Sequence, residues 1–117
     1  MKKAPDPFSS KAAYFLALRW LTARELSEGQ VRERLDRRGY TAQAIEPAVA
    51  RLTAERVLDD RRAATAVARR RLPALRRGKA ERVAARLRDY LLRRGYPASV
   101  VARVLRECVG VGDAESG

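Results

Sequence analysis

The sequence predicts an all-α protein made of two three-helix repeats in tandem, each resembling a helix-turn-helix unit, and three observations carry that reading. Apolar residues recur at helical spacing along most of residues 11 to 108. The tetrapeptide Arg-Arg-Gly-Tyr occurs twice, at 37–40 and at 93–96, each time where such a run ends. Only 6% of residues are aromatic. The abundant alanine, leucine, valine and arginine favour helices packed closely through small side chains, and no sheet is expected.

Residues 1–11 hold two prolines, two serines and little apolar material, which predicts a flexible N-terminal arm. In the first helix Tyr14, Ala17, Leu18 and Leu21 share a face, widened by Phe15, Leu16 and Trp20 enough to imply burial on several sides. Ser27 can cap the second helix, with Gln30 as its capping-box partner and Leu26 stapling against Val31. That helix runs through Leu35 and stops at Gly39, which tolerates the left-handed conformation of a helix terminus. Tyr40 then folds back as an apolar latch. Arg37 and Arg38 complement the negative end of the helix dipole.

Thr41 can cap a third helix bearing Ile45, Ala48, Val49 and Leu52, in which Pro47 predicts either a kink or a start delayed to about Glu46. Leu58, Asp59 and Asp60 form a junction where a leucine closes one unit and an aspartate caps the next helix. The fourth helix turns Ala63, Ala64, Val67, Ala68, Leu72 and Leu75 inward, and Pro73 should bend or end it. A fifth, from about Lys79, carries Val83, Leu87 and Leu91 and ends at Gly95 with Tyr96 as latch. Pro97 suits the first turn of the last helix, whose core residues are Val100, Val101, Val104, Leu105 and Cys108. Residues 109–117 have no periodicity and read as a disordered acidic tail.

At an offset of 56, Leu35 matches Leu91, Gly39 matches Gly95, Tyr40 matches Tyr96, Ile45 matches Val101 and Val49 matches Leu105. A latch in register with the core positions on either side indicates duplication, with repeats at 12–58 and 59–108.

Composition excludes several classes of function. There is no histidine, so the commonest general base and the commonest metal ligand are both missing. Cys108 is the one cysteine, so no intrachain disulfide can form, and its helical spacing from Val101, Val104 and Leu105 marks it as a small core residue. The adjacent acids Asp59 and Asp60 read as helix caps, and the scattered glycines form no phosphate-cradling loop. Neither enzymatic activity nor a cofactor is expected. No apolar run approaches the roughly 20 residues of a membrane span, and no signal-peptide pattern follows the first residues, so a cytoplasmic protein without membrane contact is expected.

The net charge of +12 is unevenly spread: residues 61–106 hold 15 basic groups against Glu81 and Asp89 alone. At about 100° per residue, Lys79, Arg82, Arg86 and Arg93 form one stripe on the fifth helix beside its apolar face. Arg69, Arg70, Arg71, Arg76 and Arg77 extend the positive region onto the fourth. Such a stripe gains from an opposing phosphate or carboxylate surface. The alternative is a solvated face filled with arginine by a GC-rich genome. Stacking on bases is expected to be weak, since Tyr40 and Tyr96 serve helix ends and Trp20 the core.

Several stretches together resemble the RecX family of regulatory proteins, modulators of the RecA recombinase. They are the first helix AAYFLALRWLTARE with the junction Arg24, Glu25, Leu26, Ser27, then LSEGQVRERLDRRGY, the turn Leu58, Asp59, Asp60, and RVAARLRDYLLRRGYPASVVARVL near the end. The resemblance covers residues 12 to 108. It implies an elongated all-α protein that binds a RecA-like filament, with contact to single-stranded DNA, and inhibits recombinase activity in DNA repair; a monomer is expected. Family members usually have three such repeats and this chain has room for two, so the middle repeat is expected to be missing. Two other readings stay open at this stage: a stand-alone helix-turn-helix-like DNA-binding module, and a remnant that has lost most of its activity.

Overall fold

The computed structural model describes residues 4–110, and every regular element among them is an α-helix. The order is α1 (Ser10–Ala23), α2 (Glu28–Arg37), α3 (Ala42–Ala54), α4 (Asp60–Leu75), α5 (Ala80–Arg93) and α6 (Ala98–Cys108). The chain divides after Asp59 into two compact units of three helices each. Both have their own core: the first is built around Ala13, Leu26, Val31, Leu35, Ala48 and Leu52, the second around Ala64, Leu87, Leu91, Val101 and Val104.

In the first unit α1 packs mainly on α3, and α2 closes the trio. The expected caps form. The Ser27 hydroxyl accepts from the Gln30 amide at 3.0 Å while the Gln30 side chain accepts from the Ser27 amide at 2.9 Å. Two donors that a helix start would otherwise leave unpaired are thereby satisfied. Leu26 and Val31 flank this cap and are both buried. The end of α2 is a Schellman motif: Gly39 stands at φ 96, its amide donates to the Asp36 carbonyl at 2.9 Å, and the Tyr40 amide donates to the Leu35 carbonyl at 3.1 Å. Tyr40 is thus folded onto the core.

The second unit repeats the device at the end of α5. Gly95 at φ 90 donates to Leu92 at 2.9 Å, and the Tyr96 amide donates to Leu91 at 3.3 Å. Tyr96 is buried.

Three local expectations are corrected. Residues 4–9 do not form a loose arm: the Ala4 amide donates to the Arg38 carbonyl at 2.7 Å, the Thr41 amide donates to the Pro7 carbonyl at 2.9 Å, and Ser9 caps α1. The α2–α3 turn has spare backbone donors and acceptors, and this proline-bearing strap satisfies them. Helix α3 starts at Ala42, not near Glu46, because Thr41 accepts from the Ala44 amide. Pro47 then sits inside the helix on its exposed side, and the carbonyl it deprives of a partner, that of exposed Gln43, is left on the solvent side. Pro97 is the N-cap rather than a first-turn residue of α6, with an extended ψ of 149.

At the other end, Val109 caps α6 and the Gly110 amide donates to Leu105 at 3.1 Å, so these two residues belong to a helix terminus rather than to a tail. The remainder of the expected acidic tail, 111–117, and residues 1–3 lie outside the described residues.

Candidate basic interface

The cations sit on α4, α5 and the connector between them because the apolar stripe of each helix is narrow. In α5 the inward positions are Val83, Ala84, Leu87 and Leu91, which leaves Arg82, Arg86 and Arg93 on the outer face. In α4, Ala63, Ala64, Val67, Ala68 and Leu72 are buried, and Arg69, Arg70 and Arg71 occupy the exposed positions. Arg76, Arg77 and Lys79 lie in the connector and are exposed as well. Among the described residues none of these nine groups is ion-paired to a carboxylate.

Two of the nine are engaged in other ways. The Arg86 guanidinium donates to the Arg77 carbonyl at 3.3 Å, which ties α5 to the connector. Arg71 lies over the Tyr90 ring at 4.8 Å, and Arg94 approaches the same ring at 4.9 Å. Tyr90 therefore joins α4 to α5 through cation–π contacts. The pairing of Tyr90 with Arg94 is readable from their i, i+4 spacing, whereas its contact with Arg71 depends on how α4 packs and left no mark in the sequence. Asp89 is an acid within the stripe, between Arg86 and Arg93 at helical spacing, exposed and not ion-paired.

Several arginines outside this group are paired: in the second unit Arg61 bonds Glu107 at 2.8 Å, and the first unit has two arginines so engaged. Arg32 bridges Glu28 at 2.9 Å and also binds Glu46, joining α2 to α3, and Arg51 pairs with Glu55 at 3.1 Å. Hydrogen bonding to Arg32 holds the Glu46 carboxyl below the usual range. The Tyr14 hydroxyl donates to Glu55, and that bond first and Arg51 second lower the Glu55 carboxyl in the same way.

The same unit also corrects the reading of its aromatics. Trp20 is half-buried with Arg34 and Arg38 at 5.6 and 6.0 Å from its ring, and Phe15, expected in a broad buried face, is 47% exposed. Helix α1 packs chiefly on α3 and less on α2, which leaves part of its wide apolar surface uncovered.

The two units differ in length. Buried Ala13, Tyr14 and Ala17 of α1 match Ala63, Ala64 and Val67 of α4 at an offset of 50, whereas the Gly-Tyr latches match at 56. The extra six residues are accounted for by α4, with 16 residues against 14 in α1, and α5, with 14 against 10 in α2. The α4–α5 hairpin is therefore longer at its tip, where Arg76, Arg77, Lys79 and Arg82 are found. Matching at the single offset of 56 concealed this extension.

No described helix is long and apolar enough to cross a membrane, and no group of three or more His, Cys, Asp or Glu side chains could hold a metal among the described residues. Paired three-helix units, one of them with a cationic hairpin, describe a helical-repeat protein. Residues 13–52 match the first three-helix domain of RecX, and residues 59–105 match the third. A regulatory protein RecX of Trichlorobacter lovleyi is 36% identical over 100 residues, 86% of this chain. The chain belongs to the RecX family, a family of regulatory proteins.

It spans 62% of the length of that relative. Only residues 53–58 separate the two matched domains, too few for a second three-helix domain between them. No solved structure matches the chain.

Proposed function

We propose that this protein regulates a RecA-like recombinase by binding its filament on single-stranded DNA through the basic face of α4 and α5, restraining recombinase activity without catalysis of its own. Family membership supports a regulatory role. The observation that carries the choice of surface is that these nine cations are exposed together on one hairpin and none is ion-paired among the described residues, whereas Arg32, Arg51 and Arg61, outside that group, are each bonded to a carboxylate. Like charges crowded on one hairpin raise the free energy of the unbound protein, and an anionic partner relieves it.

The test is the double reversal Arg82→Glu with Arg93→Glu. These two are preferred to Arg86, which also holds the connector in place. Binding to a preformed filament should slow by about tenfold or more, since steering by such a field typically changes association rates by 10 to 10³. Unchanged filament binding would refute the assignment of the face. A stand-alone DNA-binding module is separated by the same assay. It would bind bare strand without recombinase, with a log–log salt slope shallower by roughly 0.7 for each phosphate contact removed. It would also slow ATP hydrolysis only at concentrations that coat the DNA.

A further inference from the structure

At the tip of the α4–α5 hairpin lies an open recess of about 200 Å³, lined by Leu72, Arg76, Gly78, Ala80, Val83 and Val109. The aliphatic side chains of Leu72, Ala80, Val83 and Val109 lie around it, Arg76 stands beside them, and more of its exposed surface is polar than apolar. Gly78, at φ 93, presents no side chain, and the Arg82 side chain passes 3.9 Å from where a Cβ would stand. Arg76 thus lines the recess, and the stem of Arg82 runs beside Gly78 at its edge. Glu81, the acid of the first turn of α5, makes no hydrogen bond or ion pair with either.

The corresponding connector of the first unit, Arg24 to Ser27, explains why this place is open. There Leu26 is buried in the core and Ser27 caps the following helix. In the second unit the connector reads Arg-Arg-Gly-Lys. It has no apolar residue to bury, and Lys79 at the N-cap makes no side-chain capping bond. An apolar plug and an oxygen acceptor at the helix start, supplied internally in one unit, are both lacking in the other.

We propose that the recess anchors an acidic peptide segment of a partner protein. One large apolar side chain enters between Leu72, Val83 and Val109, as Leu26 fills its own hairpin. Adjoining carboxylates meet Arg76, Arg82 and the uncapped start of α5, where negative charge is favoured. The volume suits one side chain and falls below the roughly 300 to 1,000 Å³ of small-molecule pockets. No aromatic ring lines it for a base to stack upon. The inference rests on the reading of the basic face as a partner-binding surface, and within that reading it assigns the hairpin tip to protein rather than to nucleic acid.

The test uses the full chain and a labelled octapeptide, Ser-Glu-Glu-Leu-Asp-Glu-Glu-Ser, with a control in which Ser replaces Leu, and an oligo-dT strand, all followed by fluorescence anisotropy. The Leu peptide should bind about tenfold more tightly than its equally charged control, the gain expected for burying one such side chain. Ala80→Trp, an exposed position on the recess wall, should abolish that preference, and so should Val109→Asp, with helix content unchanged by circular dichroism. Arg76→Glu with Arg82→Glu should weaken both peptides.

Equal binding of the two peptides by the wild-type chain overturns the proposal. So does an Ala80→Trp variant that loses oligo-dT with no Leu preference to lose, which gives the recess to a base, or one that instead abolishes a dimer, which gives it to a second copy. The two readings fail separately. Filament binding lost on Arg82→Glu with Arg93→Glu, but without Leu preference, sinks only the recess; Leu preference without filament binding sinks only the regulatory target.

Discussion

Two glycines at opposite ends of α2, one in its first turn and one just past its C-cap, should respond to alanine with opposite signs. Gly39 sits at φ 96, held by bonds of 2.9 Å to Asp36 and, through Tyr40, 3.1 Å to Leu35. An L-residue forced into the left-handed region costs about 1–2 kcal/mol, and the anchored latch leaves Gly39→Ala little room to relax. Gly29 lies exposed in the first turn of the same helix and needs no unusual dihedral, so Gly29→Ala should stabilise by up to about 0.5–1 kcal/mol. The two variants should differ by about 2 kcal/mol, or roughly 8–16 °C in melting temperature for a unit of this size.

Urea and thermal titrations followed by Trp20 fluorescence read this cleanly, because the one tryptophan lies in the same unit as both glycines. A Gly39→Ala variant as stable as wild type, or a destabilising Gly29→Ala, would refute the reading of the latch. If the substitution opens the latch and frees Tyr40, now 5% exposed, the loss should exceed about 2 kcal/mol and the urea dependence should change as well.

Arg56 follows α3 at φ 60, the one non-glycine with positive φ among the described residues, and Arg56→Gly should shift stability less than Gly39→Ala in the same titrations, because relief of the strained backbone is offset by loss of the interaction its side chain makes. Stability of the first unit should also depend on pH at both ends through Tyr14 and Glu55. The Glu55 carboxyl is lowered in the folded state, so its contribution is present above its ordinary value of 4.5 and is lost as pH falls through the lowered one. The Tyr14 hydroxyl is raised, chiefly by its hydrogen bond to Glu55, so its contribution is present below 10.0 and is lost as pH rises through the raised value. Melting temperature against pH should accordingly flatten at both limbs in Tyr14→Phe; an unchanged profile would remove the pair from the account.

Whatever depends on neighbours along the chain was legible in the sequence. The capping box at Ser27 and Gln30, the Thr41 cap, both Gly-Tyr latches and the inward positions Ile45, Val49, Leu87, Leu91, Val101 and Val104 follow from spacing and local hydrogen bonding. Features set by long-range packing were not legible. The strap at residues 4–9 is held by backbone groups some 30 residues away, which composition does not encode. Exposure of Phe15 and the half-burial of Trp20 depend on which side of α1 remains uncovered. Six of the nine cations could be placed on the outer faces of their helices because helical periodicity is local, whereas Arg76, Arg77 and Lys79, expected on the helices, fall in the connector because α4 ends at Leu75 and α5 begins at Ala80. The recess beside them required Val109 to meet Leu72 and Val83 from three different segments.

Every residue of one buried cluster lies at or before Leu58, and every residue of the other lies at or after Ala63. Each trio of helices thus encloses a buried cluster supplied by its own segments. A difference in the number of trios between relatives therefore need not disturb the cluster inside any one of them.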